Sequence, residues 1–196
     1  MKRIDVMTDI ETLGNESDST IFQISAIAFD IESGEYINKF NMIADIEKNK
    51  ILNVSGSTIK WWLNTDKELL TKLLNSGKYS SEEILRRFHT WLTSLSEDMK
   101  NIYLWGNGIL FDNKMLQCQM KNINLNYPIF YRNDRDMRTL VELASHKVGI
   151  QTEKEFRDKY KNTNLVAHDA FDDVKGQIDI VVKCYNILMK GDYNYE

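Results

Sequence analysis

The sequence has no apolar run long enough to cross a bilayer, and its first residues lack the apolar core of a signal peptide. These two absences argue against a membrane partner. Cysteine is scarce, since only Cys118 and Cys184 are present, each inside a predicted helix. This usage argues against a disulfide framework and fits a reducing compartment, with both thiols acting as small buried hydrophobes. We therefore expect a cytoplasmic protein.

An excess of positive charge is also missing. The chain has 25 Lys and Arg residues against 29 Asp and Glu residues, for a net charge of -4. It therefore lacks the basic signature of proteins that coat long nucleic acid. The net charge is still compatible with a short contact to the end of a nucleic-acid strand. A carboxylate site that holds divalent ions attracts anions through those ions. The 196 residues contain no repeat, low-complexity tract or linker, and are most simply one domain over 1–196.

The spacing of apolar residues predicts three strands, followed by helices that alternate with strands. A turn-forming cluster at 32–34 predicts a hairpin, and the second strand is apolar on both sides, so we expect both its faces to be buried. The predicted strands are 2–10, 21–30, 35–43, 102–105 and 128–131. The predicted helices are 57–63, 66–75, 80–95 with a capping box of Ser80 and Glu83, 111–120, 138–147, 153–160 and 170–189. This order indicates an α/β domain with a mixed five-stranded sheet flanked by helices.

Two carboxylates stand close together at the end of the first predicted strand. Asp9 and Glu11 are two residues apart, so on a strand they project from the same face. Like charges at that distance repel each other unless a cation lies between them, and oxygen ligands suit Mg²⁺ or Mn²⁺. The alternative is that the strand ends at Thr8 and that both side chains are solvated in the following loop.

Asp112 follows a glycine-rich stretch after the fourth predicted strand. The glycines of Gly106-Asn107-Gly108 let the backbone turn sharply, and Asp112 lies near a helix start, where a negative charge is favourable. The alternative role for Asp112 is a helix N-cap.

A third group of polar residues precedes and opens the last predicted helix. Asp169 can cap this helix, Asp172 can complete the cap, and Asp173 can face the sheet from the first turn. His168, just before the helix, can then lie beside Asp173. The other two histidines, His89 and His146, sit in amphipathic helices with no acidic constellation around them and are interpreted as structural.

Together these residues resemble a family pattern. Asp9-x-Glu11, Asp112 in the context Gly-Asn-x-x-x-Phe-Asp, and His168-x-x-x-x-Asp173 resemble the RNase H-like 3'-5' exonucleases of the DEDDh class, in the same order and over nearly the whole chain. Three further segments look like the branch with phage exonuclease A and a compact bacterial exoribonuclease. They are Thr58-Ile-Lys-Trp-Trp, Arg135-Asp136-x-Arg138-Thr139 and Ala167-His168-Asp169.

The resemblance implies an RNase H-like fold and a metal-dependent 3'-5' exonuclease. It implies two Mg²⁺ or Mn²⁺ ions, with Asp9 bridging both, Glu11 and Asp173 completing one, and Asp112 helping to hold the second. His168 would then take a proton from the attacking water. The substrate would be a single-stranded 3' end, with RNA slightly favoured over DNA, and the product a nucleoside 5'-monophosphate. The resemblance also suggests a homodimer and, for a phage protein, the host cytoplasm.

Several residues around the motifs are expected to contact the substrate. Thr12 and Leu13 stand where many relatives have two threonines, and we expect their turn to cradle the terminal nucleotide. Trp61 and Trp62 point about 100° apart on a helix, so only one of them can stack on a base while the other packs in the core. Trp62 is the first choice for stacking. The complete predicted set is Thr12, Leu13, Trp61, Trp62, Asn107, Phe111 and Arg138.

Three of these interpretations leave an alternative open. Trp105, like Trp61 and Trp62, could serve packing alone. Arg135 and Arg138 could pair with Asp136 instead of a substrate phosphate. The alternative to an enzyme is a catalytically silent nucleic-acid-binding or protein-interaction domain on the same fold. The intact set of motif residues argues against it, because such a domain has no physical reason to keep repelling carboxylates together.

Overall fold

The computed structural model describes residues 2–162 and 165–189 of the chain. The strands are β1 (Ile4–Thr12), β2 (Ile21–Phe29), β3 (Tyr36–Ile43), β4 (Ile102–Gly106) and β5 (Asp134–Asp136). The helices are α1 (Gly56–Thr65), α2 (Lys67–Leu74), α3 (Ser81–Ser94), α4 (Asp112–Asn122), α5 (Met137–Lys147), α6 (Glu153–Tyr160) and α7 (Ala170–Met189). Short 3₁₀ turns occur at Ile46–Lys48 and Met99–Asn101.

The five strands form one mixed sheet in the order β3-β2-β1-β4-β5. β1 pairs antiparallel with β2, and β2 with β3, as the predicted hairpin requires. β4 lies parallel to β1 on its other side, and β5 parallel to β4. The predicted α/β class and mixed five-stranded sheet are confirmed. β1 is the central strand, so its carboxylates lie in the middle of the fold.

The core forms because both faces of the sheet are covered. All nine residues of β2 are buried, as its continuous apolar pattern predicts. One face packs against α3 and α4 through residues such as Phe88 and Leu116. The other face packs against α5 and α7 through residues such as Val141 and Ile178. A third apolar cluster joins α1 and α2 to the start of β2. Among the described residues, no helix combines the length and apolar character needed to cross a membrane.

β1 continues further than the sequence predicts. It runs to Thr12, and Asp9 and Glu11 pair with Ser25 and Gln23 of β2. The alternative in which both carboxylates lie in a loop after Thr8 is therefore wrong, because pairing with β2 holds the backbone extended through this segment. Both side chains project from the face that α7 covers.

The predicted fifth strand at 128–131 is wrong. That segment is a loop, and the fifth strand is the polar segment Asp134–Asp136, which pairs with β4. The apolar character of 128–131 instead serves packing, because Ile129 is buried in the core. The polar strand is held by its backbone pairing with β4. Its Asp134 side chain also accepts hydrogen bonds from Asn113 and Tyr127 at 2.7 Å each.

Helix starts agree well with the sequence pattern. Ser80 caps α3 by accepting a hydrogen bond from the Glu83 N–H, as the capping box predicts. Asp169 stands just before α7 and accepts from the Phe171 N–H at 3.0 Å, so its predicted capping role is confirmed. Asp172 instead accepts from the Val166 N–H, and thereby holds the segment that leads into the helix.

Candidate active site

Three carboxylates from distant parts of the chain meet at the carboxyl end of β1. Asp9 and Glu11 come from β1, and Asp173 comes from the first turn of α7. Each offers one oxygen, and these oxygens all lie within 4.8 Å of one another. Because α7 packs across β1 and β2, the first turn of the helix is placed directly over the end of the strand.

Burial and mutual repulsion dominate the ionisation of the cluster. Burial raises the pKa of Asp9 well above its ordinary value, and the charges of Asp112 and Asp173 raise it further. Burial, followed by the charge of Asp9, raises the pKa of Glu11 to about 10. Within the described chain, none of these four carboxylates forms an ion pair with Lys or Arg. The cluster is therefore favourable only when a proton or another cation neutralises it.

Asp112 lies at the edge of this cluster, as the first residue of α4. Burial raises its pKa to about 7, while hydrogen bonds from backbone N–H groups, its own and that of Ile10, and the charge of Arg138 act in the opposite direction. Asp112 does not serve as the N-cap, since Phe111 holds that position. Its carboxylate thus links the start of α4 to β1 through the N–H groups of Asp112 and Ile10.

The residues present fit a divalent cation. Oxygen atoms are the ligands that Mg²⁺ and Mn²⁺ prefer, and several carboxylates with raised pKa values are what a hard cation would stabilise. Asp9, Glu11 and Asp173 can hold such an ion directly, with Asp112 beside them. The donor set thus supports the predicted class of cofactor, a divalent metal.

His168 lies beside the cluster in a strained backbone conformation. Its φ is +65°, a region that few non-glycine residues adopt. Its N–H donates to Asp173 Oδ2 at 3.1 Å, so the two residues are neighbours as the sequence predicts. The imidazole packs edge-on against Trp61 and Trp62, at centroid distances of 5.0 and 6.3 Å. Strained positions of this kind cluster at functional sites.

A cavity of about 520 Å³ opens next to Glu11. This volume is within the range of about 300–1,000 Å³ that is usual for ligand pockets. Apolar and aromatic side chains form much of its wall, together with hydroxyl and amide groups. The lining residues are Ile10, Glu11, Thr12, Asn15, Ser57, Thr58, Trp61, Trp62 and Phe111.

The two adjacent tryptophans have different environments. Trp62 is 1% exposed, packs edge-on against Phe22, and donates its indole N–H to the Thr12 carbonyl. Trp61 is 45% exposed and lines the cavity. The exposure of the two rings therefore favours Trp61 over Trp62 as the stacking residue, because the Trp62 ring already packs in the core. Trp105 is likewise structural, since it is buried and donates to Asp5 at 2.7 Å.

The turn after β1 is less open than the sequence suggests. Thr12 lines the cavity, but its hydroxyl donates to the Gly14 carbonyl at 2.7 Å. Leu13 is only 3% exposed and packs in the apolar cluster under α1, so its side chain is part of the core. Of these two residues, only Thr12 therefore remains on the cavity wall, where it could contact a terminal nucleotide.

The remaining predicted contacts lie around the loop before α4. Phe111 lines the cavity, whereas the Asn107 Oδ1 accepts from Arg157 at 3.1 Å. Arg138 is exposed and lies against Gly108, where an added Cβ would be 3.1 Å from the guanidinium carbon. The φ of +117° at Gly108 is what favours glycine here, and the missing side chain leaves room for the guanidinium. Arg138 is not ion-paired with Asp136, which instead accepts from the N–H groups of Arg138 and Ile109.

The contacts of Arg135 in the described chain are structural. Its guanidinium donates to the carbonyls of Arg132 and Asp134 and lies 4.7 Å from the centroid of the Tyr103 ring. These contacts hold β5 and the loop that precedes it, which is a structural role.

Two buried glutamines at the site were not predicted from the sequence. Gln177 donates to Asp9 Oδ1 at 2.8 Å, and Gln23 Nε2 lies 3.3 Å from Asp169 Oδ1 and 3.2 Å from Asn41 Oδ1. For Gln177 a signal exists, because it follows Asp173 by four residues and so lies on the same helix face. For Gln23 no local signal exists, because its partners come from other elements.

Comparisons with known proteins agree with this geometry. A family model described as the 3'-5' exoribonuclease Rv2179c-like domain matches residues 4–185. No curated protein sequence matches the chain significantly.

Solved structures of nucleases share the fold. Cell-death related nuclease 4 (CRN-4) superposes with a TM-score of 0.69 at 16% identity, covering 95% of this chain and 64% of CRN-4. A zinc-bound E. coli ExoI–ssDNA complex gives 0.67 at 15% identity, covering 97% of this chain and 42% of ExoI. The nuclease domain of 3'hExo, a DEDDh family member bound to rAMP, gives 0.63 at 16% identity, covering 97% and 94%. The chain thus spans less than two thirds of CRN-4 and of ExoI, and the predicted RNase H-like fold is confirmed.

Proposed function

The chain belongs to the Rv2179c-like 3'-5' exoribonuclease domain family, and on this premise we propose that it hydrolyses phosphodiester bonds from the 3' end of single-stranded nucleic acid, with RNA favoured over DNA. The products would be nucleoside 5'-monophosphates. Family membership confirms a 3'-5' exoribonuclease domain. The fold shared with 3'hExo, a DEDDh family member, supports the DEDDh type. The narrower likeness to the phage branch stays a prediction.

The observation that carries the proposal is the meeting of Asp9, Glu11 and Asp173 at the end of β1. Asp112 and His168 lie at the edge of the same cluster. A divalent cation, when bound, neutralises charge on a phosphate and lowers the pKa of a water molecule. The three clustered carboxylates would hold two such ions, with Asp112 completing the set. Because the cluster needs a proton or a metal cation to neutralise it, a divalent cation that displaces the protons would stabilise it, which supports metal binding.

His168 is the general base in this proposal. Its backbone N–H donates to Asp173, and its imidazole packs against Trp61. An imidazole placed there can take a proton from a water molecule that attacks the terminal phosphodiester. A positioned general base contributes about 10²–10⁴-fold to the rate.

The cavity beside Glu11 is the proposed site for the terminal nucleotide. Trp61 and Phe111 offer flat apolar faces for a base, and stacking of this kind tolerates any base. Glu11 forms part of the same wall and can accept a hydrogen bond from a ribose 2'-OH, which would favour RNA without excluding DNA. Arg138, exposed near Asp112, would pair with a substrate phosphate.

Cleavage of labelled oligonucleotides tests this function. RNA and DNA of equal length and sequence, labelled at the 5' end, would be incubated with the protein and Mg²⁺ or Mn²⁺, with and without EDTA. We expect a ladder that shortens from the 3' end, faster with RNA, that EDTA abolishes. Intact substrate together with measurable binding would instead indicate the silent binding domain. Faster loss of DNA would overturn the RNA preference alone.

A further inference from the structure

Helix α7 contributes two side chains to the carboxylate cluster, and only one of them is a carboxylate. Gln177 lies one turn after Asp173 on this helix and is 7% exposed. Its Nε2 donates to Asp9 Oδ1 at 2.8 Å. The same helix therefore supplies one candidate metal ligand and also contacts a second ligand that comes from β1.

The hydrogen bond from Gln177 restricts the Asp9 carboxylate. Rotation of an aspartate carboxylate about χ2 has a broad, nearly two-fold preference, so the side chain does not fix its own orientation. A donor at one oxygen selects a single orientation and leaves the remaining lone pairs free. Because the amide is neutral, it does so without supplying the positive charge that would compete with a cation. A lysine at this place would neutralise the cluster instead.

The oxygen of the Gln177 amide makes the buried glutamine unfavourable for stability. Gln177 Oε1 is buried and has no hydrogen-bond partner within the described chain. A buried acceptor without a partner is destabilising, so an apolar side chain of similar size would serve packing better. When Asp9 is ionised, as a metal ligand is, only the amide nitrogen can donate to it, and this defines the orientation of the amide. The hydrogen bond to Asp9 is thus the interaction that explains a glutamine at this position.

We propose that Gln177 is a positioning residue of the metal site, which fixes the Asp9 carboxylate so that Asp9, Glu11 and Asp173 are arranged for a divalent cation before it binds. This inference rests on the proposed function of the cluster and deepens it. Groups that orient metal ligands in this way typically contribute about 10–100-fold to metal affinity or activity.

The test is Mn²⁺ binding to the full-length Gln177→Met variant, measured by calorimetry without substrate. Methionine keeps the length of the side chain but cannot donate to Asp9. We expect the dissociation constant for Mn²⁺ to rise about 10–100-fold. Cleavage should then need more Mn²⁺ for half-maximal rate, while the rate at saturating Mn²⁺ changes much less. A merely structural role for Gln177 would not shift this metal dependence.

Asn186 offers a matched control on the same helix. Like Gln177, it donates to an acceptor outside the helix, in this case the backbone carbonyl of Glu32. Its Oδ1 is likewise buried without a partner in the described residues. It lies nine residues beyond Gln177, about 13 Å along the helix axis. Asn186→Leu should therefore keep the Mn²⁺ affinity of the wild type. An equal loss of affinity in both variants would show general loosening of α7 and would overturn the proposal.

The remaining outcomes separate this proposal from the proposed function. Unchanged Mn²⁺ affinity in a folded Gln177→Met variant overturns the positioning role. If that variant fails to fold, Gln177→Asn, whose amide is one methylene too short to reach Asp9, replaces it with the same expected loss. A wild-type protein that binds Mn²⁺ but cleaves nothing refutes the exonuclease function alone. A wild-type protein that binds no Mn²⁺ refutes both.

Discussion

The imidazole of His168 lies edge-on against the indole of Trp61, with ring centroids 5.0 Å apart and planes at 87°. Trp61 also lines the cavity beside Glu11. One exposed ring therefore contacts both the proposed base and the proposed site of the terminal nucleotide. Trp62 touches the same cavity and the same imidazole, but its ring is buried whereas that of Trp61 is open to a ligand.

Trp61→Ala should weaken substrate binding while the protein stays folded. Stacking of a base on an aromatic ring is worth about 1–3 kcal/mol, which corresponds to roughly a 5- to 150-fold loss of affinity. Fluorescence anisotropy with a labelled single-stranded oligonucleotide, in Ca²⁺ or EDTA to prevent cleavage, measures this affinity. Trp62→Ala is the matched comparison, and it should mainly destabilise the fold, by about 3–5 kcal/mol, because its ring fills the core. Equal behaviour of the two variants would contradict their different exposure.

His168→Asn should slow cleavage without affecting metal binding. Loss of a positioned general base lowers the rate by about 10²–10⁴-fold. The His168 contact with Asp173 uses the backbone N–H, and asparagine tolerates a positive φ, so the helix start should be retained. Single-turnover cleavage measures the rate, and calorimetry with Mn²⁺ checks the site. A folded variant within a few-fold of the wild-type rate would remove His168 from the mechanism.

Asp173→Asn should abolish both cleavage and metal binding, yet leave the metal-free protein at least as stable. The substitution removes a charge that raises the pKa values of Asp9 and Glu11, and so relieves repulsion within the cluster. Thermal unfolding with EDTA and with Mn²⁺ measures both effects. Asp172→Asn is a control from the adjacent position, since Asp172 bonds to Val166 and Lys175 instead of the cluster. A strongly destabilised Asp173→Asn variant in EDTA would indicate a structural carboxylate.

The stability of the metal-free protein should fall as the pH rises. Glu11 has an ordinary pKa of 4.5, and burial raises this pKa to about 10 in the folded state. Below pH 4.5, Glu11 is protonated in both the folded and the unfolded state. Between pH 4.5 and about pH 10, only the unfolded chain loses this proton. Unfolding therefore becomes progressively more favourable as the pH rises through this range. Bound metal replaces the proton.

Thermal unfolding across about pH 5 to pH 9 measures this effect. The shift in melting temperature between Mn²⁺ and EDTA should grow with pH. Calorimetry in two buffers of different ionisation enthalpy should show protons released on metal binding. A shift that is constant with pH, together with no proton release, would contradict the raised pKa of Glu11. Glu11→Gln should show a weaker pH dependence in EDTA.

The elements of the fold follow from local patterns where one signal dominates. The hairpin of β2 and β3 follows from turn residues between apolar runs, and the capping box of Ser80 and Glu83 marks the start of α3. The fifth strand does not follow in this way. Residues 134–136 are all polar and become a strand because β4 offers a free edge, whereas the apolar run at 128–131 is drawn into the core as a loop.

The sequence by itself determined which residues are candidates for the chemistry. Asp9 and Glu11 share one face because strand side chains alternate, and Asp169, His168 and Asp173 are placed by the start of α7. Only the tertiary structure decided which tryptophan is open, since both fit the same helix and the side that packs on Phe22 is set by a distant strand. It alone also placed Gln177 on Asp9, 168 positions earlier in the chain. Local periodicity orients a side chain on its own element, whereas its partner depends on how the elements pack.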